Sequence, residues 1–480
     1  MLTRRDMVKL GVLAATQNLL PRSRASQARD SVELRSARPA PAKRQFRSEA
    51  VEREIGRVRE LIADSHLALL FENCYPNTLD TTVFPSTFEG KPDTFVITGD
   101  IAAMWLRDSG AQVWPYLPLA AQDRELRNLL EGVIRRQTRC ILIDPYANAF
   151  SRDTSAPPLS FSLHDDTRML PGVAERKWEI DSLCYPIRLA HGYWRATGDT
   201  SPFDEQWRVA MHLVVATFRA QQRKSSEGPY RFLRLTETPN DTLQGNGYGA
   251  PASAIGLIHS AFRPSDDACM FPFLIPSNLF AVKALGDLAQ MATEVLGDRE
   301  LATDATTLAA EVRHALQWHG MAHHGIHGKI WAYEVDGFGN ALFSDDANIP
   351  SLLALPYLGC VRDDDPVYLR TRRFVLSPDN PYFFKGTAAE GVGGPHIGVN
   401  QIWPMSIIVR ALTSRSQVEL LACLRWLRNI DAGTGFMHES FDKDDPAKFT
   451  RPWFAWANTL FGELIVKVSR ESPSLLASDL

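Results

Sequence analysis

The chain has 480 residues, of which 45% are hydrophobic and 22% charged, with 52 lysines and arginines against 56 aspartates and glutamates. This apolar fraction supports a large core and excludes disorder over most of the chain, and no apolar run reaches the roughly 18 residues of a membrane-spanning helix. The formal charge of −4 argues against nucleic acid as a partner, since proteins that bind it usually carry a strongly basic balance.

Basic residues are concentrated at the start of the chain. Residues 1–45 contain ten of them against three acidic ones, a net charge of +7, which leaves −11 for the remainder. The pair Arg4-Arg5 precedes a short, mildly apolar segment, a pattern that resembles a twin-arginine export signal. We therefore predict such a signal over residues 1–28 and export to the periplasm or the medium; a disordered basic tail is the alternative. Residues 29–45, without apolar periodicity, are predicted to form a flexible linker.

From residue 46 onward the sequence is mostly helical, because apolar residues recur at helical spacing between capping residues and breakers. Twelve helices are predicted, over residues 48–73, 103–120, 122–142, 180–197, 202–223, 276–297, 298–319, 346–357, 364–376, 403–414, 416–430 and 452–469. Short links such as Gly198-Asp199-Thr200 make successive helices antiparallel neighbours. Six helical hairpins predict an all-α fold, a closed (α/α)6 barrel, for residues 46–480.

Strand-like segments interrupt the helices at residues 94–97 and 230–233, and a hairpin is predicted over residues 329–343. The six cysteines are widely spread and include no C-x-x-C pair. Buried free thiols are therefore expected rather than a disulfide framework.

Polar connections between the helices contain the candidate functional residues. Residues 98–109 include Trp105, Arg107 and Asp108. A ring face beside adjacent opposite charges suits a polyhydroxylated ligand, whose neighbouring hydroxyls need both donors and acceptors. The alternative is a helix start at which the acidic residues interact favourably with the helix dipole.

Two further connections between helices also contain candidate binding residues. One contains Trp178 and Asp181 at a predicted helix start, where a solvated capping turn is the alternative. The other contains Asn240 and Asp241 and runs into a glycine-rich loop, which requires a flexible backbone.

Candidate acids and bases for catalysis lie in two later segments. Arg263 is followed by the paired carboxylates Asp266 and Asp267 at the start of an apolar stretch. Burial or a neighbouring like charge raises the pKa of one such carboxyl so that it retains a proton, as a general acid must. An aspartate that caps a helix is the alternative.

Glu439 is the candidate base. It stands beside His438 in a mostly uncharged run, whereas the acids at 442–445 are typical of a solvated turn. Trp453 follows, and a glycine-rich segment that contains His396 precedes this region. Its glycines allow close approach of the backbone to a ligand.

Four histidines cluster at His319, His323, His324 and His327. Glycines interrupt the helical spacing, and no carboxylate or cysteine stands at a matching distance, so no metal site is predicted. The chain also has no G-x-S-x-G motif, so nothing supports a serine hydrolase.

Taken together, these segments resemble glycoside hydrolase family 125. The likeness rests on D-I-A-A-M-W-L-R-D-S, R-K-W-E-I-D-S-L, E-T-P-N-D-T, R-P-S-D-D-A, G-P-H-I-G and G-F-M-H-E-S-F, which occur in the same order across nearly all of residues 46–480. The resemblance implies an (α/α)6 catalytic domain over residues 46–480. It also implies a metal-independent exo-α-1,6-mannosidase that inverts configuration, uses no cofactor and acts on a mannose-containing oligosaccharide or glycan.

The resemblance also assigns roles. It places the general acid on Asp266, with Asp267 as the alternative, and the general base on Glu439. The predicted binding residues around the terminal mannose are Trp105, Arg107, Asp108, Trp178, Asp181, Asn240, Asp241, Arg263, Asp267, His396, His438 and Trp453. Several of the eleven tryptophans lie in these segments, which favours sugar stacking over core packing.

Glycoside cleavage requires one protonated carboxyl to protonate the leaving oxygen and one carboxylate to activate water on the opposite ring face. In inverting enzymes the two stand about 6.5–9.5 Å apart, which leaves room for that water. Asp266 and Glu439 are 173 positions apart, so only the fold can bring them together. Two other functions remain open: another (α/α)6 hydrolase, α-glucosidase-like or trehalase-like, and a non-catalytic glycan-binding protein, which would need neither carboxyl.

Overall fold

The computed structural model of the protein describes residues 36–478. The predicted signal at 1–28 and residues 29–35 of the predicted linker lie outside the described residues. Most of the described secondary structure is helical, which confirms the predicted all-α (α/α)6 barrel with small β-hairpin insertions. None of the described helices is both long and apolar enough to cross a membrane.

Thirteen α-helices and fifteen short strands lie between residues 36 and 478. The helices are α1 (Glu49–Arg59), α2 (Ser65–Cys74), α3 (Asn77–Thr81), α4 (Leu106–Val113), α5 (Arg124–Ile143), α6 (Ile180–Thr197), α7 (Glu205–Gln221), α8 (Ile275–Met291), α9 (Arg299–His319), α10 (Pro366–Val375), α11 (Pro404–Leu412), α12 (Gln417–Asn429) and α13 (Ala455–Glu471). The strands are β1 (Val83–Phe88), β2 (Lys91–Val96), β3 (Met104–Trp105), β4 (Ala149–Phe150), β5 (Val173–Glu175), β6 (Phe273–Leu274), β7 (Met321–His324), β8 (Gly328–Trp331), β9 (Glu334–Val335), β10 (Ala341–Leu342), β11 (Phe383–Lys385), β12 (Glu390–Val392), β13 (Gln401–Ile402), β14 (Ser440–Asp442) and β15 (Phe449–Thr450).

The helices form two concentric layers. In the inner layer α4 packs on α6, α6 on α8, and α11 on α13, while α13 also packs on α4. Helices α5, α7, α9 and α12 alternate with them along the chain and form part of the outer layer. Every residue of α4 is buried, whereas α5 buries one face and exposes the other. This difference is expected of an inner and an outer helix.

One segment of the inner layer, residues 346–357, is not helical, although a helix is predicted there. This segment forms turns instead. The carboxylate of Asp345 accepts hydrogen bonds from the backbone N–H groups of Leu352 and Leu353, at 2.8 and 3.0 Å. A side chain thus satisfies donors that a helix would satisfy with its own carbonyls.

The turn segment nevertheless occupies the inner layer, between α8 and α11 along the chain. The hydroxyl of Tyr185 in α6 donates to the carbonyl of Ile349 at 3.1 Å. The hydroxyl of Tyr357 donates to Glu463 in α13 at 2.9 Å. Most apolar side chains of the turn segment are buried, so the segment packs like an inner helix although its backbone is not helical.

Two other predicted helices are each divided. Residues 48–73 form α1 and α2, because the Asp64 carboxylate caps a new helix by accepting the Leu67 N–H at 2.8 Å. Residues 103–120 form α4 and then the 3₁₀ helix Trp114–Gln122, which has a proline near its start.

The last part of the predicted linker, residues 36–45, lies against the domain. The side chain of Arg38 is 5% exposed and pairs with Glu52 at 2.6 Å and with Asp80 at 2.8 Å. The N–H of Gln45 donates to the Asp80 carbonyl at 2.9 Å. These residues therefore belong to the folded domain rather than to a flexible linker.

The strands form small antiparallel sheets, three of them with three strands each: β3–β4–β5, β6–β9–β10 and β13–β14–β15. Strands β3, β6 and β13 lead into α4, α8 and α11, so the sheets lie at the end of the barrel where inner helices begin. The predicted strand at residues 94–97 is found as β2, in a hairpin with β1. The hairpin predicted over 329–343 is found at its centre as β9 and β10, whereas residues 230–233 contribute only an isolated bridge.

Five of the eleven tryptophans are buried in the structure. Trp105, Trp178, Trp207, Trp403 and Trp456 are each at most 3% exposed. All six cysteines are free thiols, as predicted, and four of them are buried.

Candidate active site

The predicted site residues lie at one end of the barrel, where the inner helices begin. Arg107 lies in the first turn of α4 and Asp181 in the first turn of α6. Asp266 lies in the loop before β6 and α8, and Glu439 directly before β14. The partial positive charge of helix N-termini favours acidic groups at this end of the barrel.

Arg107 is the centre of a buried charge cluster. Its Nη1 donates to Glu179 Oε2 at 2.5 Å and to Asp181 Oδ2 at 3.1 Å. Its Nε lies 3.5 Å from Asp108 Oδ2, and its Nη2 lies 3.6 Å from Asp266 Oδ1. Four carboxyl groups from three segments thus surround one guanidinium, which is itself 4% exposed.

Burial favours the protonated forms of these carboxyls. Loss of hydration raises the pKa of Asp181 to about 6 and raises the pKa of Glu179 well above its ordinary value, against the opposing charge of Arg107. Burial raises the pKa of Asp108 in the same way, and the neighbouring Asp266 adds to the effect. A buried cluster with more carboxyls than positive charges is able to retain a proton.

Asp266 is held in an unusual backbone conformation, with a φ of 65° in the left-handed region. This region is strained for a residue other than glycine. Lys177 Nζ donates to the Asp266 carbonyl at 2.6 Å, and the Asp266 N–H donates to the Arg263 carbonyl at 2.9 Å. Asn148 Nδ2 donates to Asp266 Oδ1 at 3.1 Å. These contacts maintain the strained turn and set the direction of the carboxyl.

The carboxylate of Asp267 is occupied on both oxygens. Oδ1 accepts from Asn240 Nδ2 at 2.6 Å, and Oδ2 accepts from the hydroxyl of Ser265 at 2.9 Å. His396 Nδ1 lies 3.4 Å from Oδ1. Asp267 therefore ties together the loops that contain Asn240 and His396.

Glu439 has a different environment from that of Asp266. Its Oε2 accepts from the Thr450 hydroxyl at 3.0 Å, and its Oε1 pairs with Arg451 Nη1 at 3.2 Å. Both contacts come from hydrogen-bond donors, and the one from the guanidinium is charge-assisted. Asp108 interacts electrostatically with Asp266 and with Arg451, so the two halves of the site meet around Asp108.

Two of the predicted binding residues are engaged by internal ion pairs. Arg263 Nε donates to Glu334 Oε1 at 2.6 Å, beneath the Asp266 loop. Asp241 accepts from Lys177 at 2.6 Å and from Arg234 at 3.0 Å. These pairs brace the loops around the site.

Trp178 and His438, both predicted to bind substrate, have their side chains buried in the protein interior. Trp178 is completely buried, and its Nε1–H donates to the His259 carbonyl at 2.7 Å. His438 is 1% exposed and stacks on Phe449, with 3.8 Å between ring centroids. Burial also lowers the pKa of His438, which keeps the ring neutral at neutral pH. Both rings fill space behind the site.

The other two predicted tryptophans differ in exposure. Trp105 is 3% exposed and packs with Ala149 and Ala174 in a small apolar cluster, so it offers little open ring surface. Trp453 is half-buried, and its Nε1–H donates to Asn77 Oδ1 at 3.1 Å. Of the five aromatic residues predicted to bind substrate, Trp453 and His396 are half-buried and the other three are buried.

Several buried polar atoms at this end of the barrel have no hydrogen-bond partner among the described residues. They are Asp181 Oδ1, Tyr333 Oη, Asp346 Oδ2 and Trp403 Nε1. Leaving such a group unsatisfied costs about 1–3 kcal/mol. Hydroxyls, which both donate and accept, match this mixture of donors and acceptors.

Sequence reasoning missed several residues of this site. Glu179 lies in a segment that was identified, but its neighbours Trp178 and Asp181 were chosen instead. Thr450 and Arg451 reach Glu439 only through the β14–β15 hairpin, which has no sequence signal beyond the turn residues between its strands.

Asp346 and Asn148 were missed for a similar reason. Asp346 lies in the segment predicted as a helix. A Cβ atom added at position 394 would lie only 2.9 Å from Asp346 Oδ2, which explains why residue 394 is a glycine. Asn148 follows α5 in a short loop and has no charged neighbours that would mark it out.

A cavity of about 990 Å³ lies at the opposite end of the barrel. It is lined by the last turns of inner helices, with His191 and Arg195 from α6 and Lys467 from α13. Its wall includes the half-buried carboxyl of Glu463, which accepts a hydrogen bond from the Tyr357 hydroxyl. This cavity is separate from the carboxyl pair of Asp266 and Glu439 and is not the candidate active site.

The four clustered histidines do not share one helix. Helix α9 ends at His319, and His323 lies in β7. His327 pairs with Asp379 at 2.7 Å. Between residues 36 and 478, no three or more histidine, cysteine, aspartate or glutamate side chains are arranged to hold a metal ion.

Known proteins resemble the chain over most of its length. A model of the metal-independent alpha-mannosidase family, GH125, matches residues 64–466. The Meiotically up-regulated gene 157 protein of Schizosaccharomyces pombe is 44% identical over 459 residues, covering 92% of this chain and 89% of that protein. A solved metal-independent alpha mannosidase of Streptococcus pneumoniae, in a non-productive substrate complex with alpha-1,6-mannobiose, is 41% identical with a TM-score of 0.85, covering 89% of this chain and 100% of that one.

Proposed function

Because the chain belongs to glycoside hydrolase family 125 and is therefore an α-mannosidase, we propose that it removes terminal α-1,6-linked mannose with inversion of configuration. The proposed substrate is a mannose-containing oligosaccharide or glycan, attacked from its non-reducing end. The proposed general acid is Asp266, and the proposed general base is Glu439.

The observation that carries this proposal is the contrast between the two carboxyl environments. Asp266 shares one guanidinium with Asp108, Glu179 and Asp181, a setting that favours a retained proton. Glu439 instead accepts hydrogen bonds from the Thr450 hydroxyl and the Arg451 guanidinium, apart from the carboxyl cluster around Arg107. An inverting glycosidase needs this combination of one acid and one base.

Asp266 is preferred over Asp267 as the acid. Both oxygens of Asp267 accept hydrogen bonds from the neighbouring Asn240 and Ser265, so this carboxyl is engaged in holding the surrounding loops. Asp267 also bridges two loops, which is a structural role. Its substitution would therefore disturb the site without removing the proton donor.

The proposed reaction is a single displacement. Asp266 transfers its proton to the glycosidic oxygen as the bond from C1 to that oxygen breaks. Glu439 takes a proton from water as the water oxygen bonds to C1 from the opposite face. The products are β-mannose and the shortened glycan, and proton exchange with solvent restores both carboxyls.

The α-1,6 linkage is supported by the Streptococcus pneumoniae relative, which was solved with alpha-1,6-mannobiose. The test is hydrolysis of α-1,2-, α-1,3- and α-1,6-linked mannobiose by purified protein, with maltose and trehalose as controls. We expect release of mannose from the α-1,6 disaccharide alone. Cleavage of maltose or trehalose would favour another (α/α)6 hydrolase, and binding without release would favour a glycan-binding protein.

The stereochemical outcome is tested separately by proton NMR of the first-formed product. We expect the β anomer of mannose to form first and to mutarotate slowly to the mixture. If the α anomer formed first, the proposed single displacement would be wrong.

We further propose that the protein is exported by the twin-arginine route. The support is the Arg4-Arg5 pair, the short apolar segment after it and the +7 charge of residues 1–45. Residues 1–45 fused to a fluorescent protein should direct it to the periplasm of a bacterium with a twin-arginine translocase. Replacing Arg4-Arg5 with Lys-Lys should retain it in the cytoplasm, and equal export of both fusions would contradict the proposal.

A further inference from the structure

Lys177, which has no part in the reaction described so far, is a buried cation in the loop between β5 and α6. It is 1% exposed, and lysines are almost never fully buried unless they are paired. Its ammonium donates to Asp241 Oδ1 and to the backbone carbonyl of Asp266, each at 2.6 Å. A buried lysine is therefore bonded to the main chain of the proposed acid.

Charge balance alone does not explain this contact. Arg234 also pairs with Asp241, at 3.0 Å, and with Glu175, at 3.0 Å. An ammonium that only balanced these carboxylates would bond to their oxygens, yet Lys177 Nζ lies 3.9 Å from Glu175. It gives one of its three donors to the Asp266 carbonyl instead, in a charge-assisted hydrogen bond. The lysine therefore acts on the backbone of Asp266.

The backbone of Asp266 is one that needs such support. Its φ of 65° lies in the left-handed region, and a strained residue persists there only when its surroundings over-determine its conformation. The Asp266 N–H donates to the Arg263 carbonyl at 2.9 Å, and the Asp266 carbonyl accepts from Lys177. Without the ammonium the backbone would relax toward a negative φ, which would turn the Cα–Cβ bond and displace the carboxyl.

Lys177 also acts on the carboxyl of Asp266, through Asn148. The Lys177 N–H donates to Asn148 Oδ1 at 3.0 Å, which directs the amide Nδ2 toward the carboxyl groups. Nδ2 donates to Asp266 Oδ1 at 3.1 Å and to Glu175 Oε2 at 3.0 Å. Asn148 is completely buried, and its amide uses its acceptor and both of its donors in these contacts. Lys177 thus fixes the acid at its carbonyl and, through one neighbour, at its carboxyl.

We propose that Lys177 is a positioning residue for the general acid. Its ammonium holds the left-handed backbone of Asp266, and its N–H orients the asparagine that holds the carboxyl. The inference rests on the proposed role of Asp266. Displacing a reacting group by about 1 Å costs up to about 100-fold in rate, and here the loss falls on the transfer of the proton to the leaving oxygen.

The test is the variant Lys177→Met, studied on two substrates. Methionine has a side chain of similar length, but it has no donor for the Asp266 carbonyl. On α-1,6-mannobiose, whose leaving alcohol needs a proton, we expect kcat to fall about 10–100-fold. KM should change little, because the interaction that is lost acts in the transition state.

The second substrate is 2,4-dinitrophenyl α-mannoside, whose leaving group needs no protonation. We expect Lys177→Met to hydrolyse it at nearly the wild-type rate. Equal slowing of both substrates would show a purely structural role and overturn the inference, and so would an unchanged kcat on mannobiose. Lys177→Gln, whose shorter side chain ends in an amide, should show the same selective loss to a smaller degree. It supplies the reading if Lys177→Met does not fold.

A crystal structure of Lys177→Met reads the backbone directly. We expect Asp266 to leave the left-handed region for a negative φ. If its φ stays near 65°, other contacts hold the turn and the inference is wrong.

Arg176→Met is the matched control. Arg176 is a buried cation next to Lys177 in the chain, and it bonds to Asp144 at 2.6 Å and to Thr167 at 2.9 Å. The control removes one buried positive charge from the same loop and keeps the ammonium on the Asp266 carbonyl. It should leave the ratio of the rates on the two substrates as it is in the wild type. The same selective loss in Arg176→Met would assign the effect to buried charge and contradict the inference.

Asp266→Asn separates this inference from the proposed function. It should lose mannobiose hydrolysis and retain hydrolysis of the dinitrophenyl substrate. If Asp266→Asn cleaves mannobiose normally, the proposed function is wrong and the inference falls with it. If Asp266→Asn is inactive on mannobiose but Lys177→Met shows no selective loss, the inference alone is wrong.

Discussion

Substitution of Glu439 by glutamine removes the proposed base while keeping its shape. Glutamine retains one acceptor oxygen, which can serve Thr450 or Arg451 but not both. The lost charge-assisted hydrogen bond is worth about 1.5–3 kcal/mol, and Arg451 keeps its contact with Asp100 at 2.9 Å. The variant should therefore remain folded.

The kinetic effect follows from the role of a general base. Removing one typically slows the reaction by about 10²–10⁴-fold, which corresponds to about 3–5 kcal/mol of transition-state stabilisation. We expect this loss in kcat on α-1,6-mannobiose, with little change in KM, because the base acts only in the transition state.

A smaller substitution supplies a positive test of the same role. Glu439→Ala leaves space where the activated water would stand, and azide needs no base to act as a nucleophile. Added azide should therefore restore turnover on an activated substrate, with β-mannosyl azide as the product.

Glu54→Gln is the matched control for Glu439. Glu54 is a buried glutamate that pairs with Arg57 and Arg470, each at 2.8 Å, away from the site. Its substitution should leave kcat unchanged. Turnover of Glu439→Gln within tenfold of the wild type, or an α-configured azide product, would refute the assignment of Glu439.

Three further predictions concern stability and metal dependence. Asp181 has its pKa raised to about 6 by burial, so its contribution to stability is present below pH 4 and is lost as the pH rises through 6. Urea unfolding at pH 4 and pH 7 should show the wild type losing up to about 3 kcal/mol relative to Asp181→Asn over this range, and a constant difference would contradict the shift. Arg38→Ala should lower the free energy of unfolding by about 1.5–3 kcal/mol, because it removes the charge-assisted hydrogen bond to the buried Asp80 and leaves Arg44, at 3.6 Å, as the cation beside that carboxylate; an unchanged denaturation midpoint would show that Arg38 does not stabilise the domain. Prolonged treatment with EDTA should leave mannobiose hydrolysis intact, as expected of a metal-independent family, and lost activity that zinc or calcium restores would contradict this.

The helical pattern of this chain is largely a local property. The repeating apolar positions predict the helices, because each must bury a face against its neighbours. The boundaries at 60–64 and 114–115 were not predicted, because the apolar pattern continues across both. Asp64 caps the start of a new α-helix there, and Pro115 lies at the start of the 3₁₀ helix that follows α4.

The segment at 346–357 shows the limit of that reasoning more clearly. Its apolar residues have the spacing of an inner helix, and they are buried as those of an inner helix would be. Its backbone is nevertheless non-helical, because Asp345 takes over the donors of Leu352 and Leu353. Such a competition between side chain and backbone depends on how the segment is enclosed by the barrel.

The helical class of the domain and the chemical types of the site residues follow from residue identity and order, so both could be predicted before the fold was known. The surroundings of each site residue depend on the folded chain. Trp178 and His438 have the types expected in a sugar site, yet their rings are directed into the core. Asp266, Glu179 and Arg107 are far apart in the chain, and the proton-holding environment exists only where the barrel brings them together. Charge and burial act through distance in space, which residue order alone does not specify.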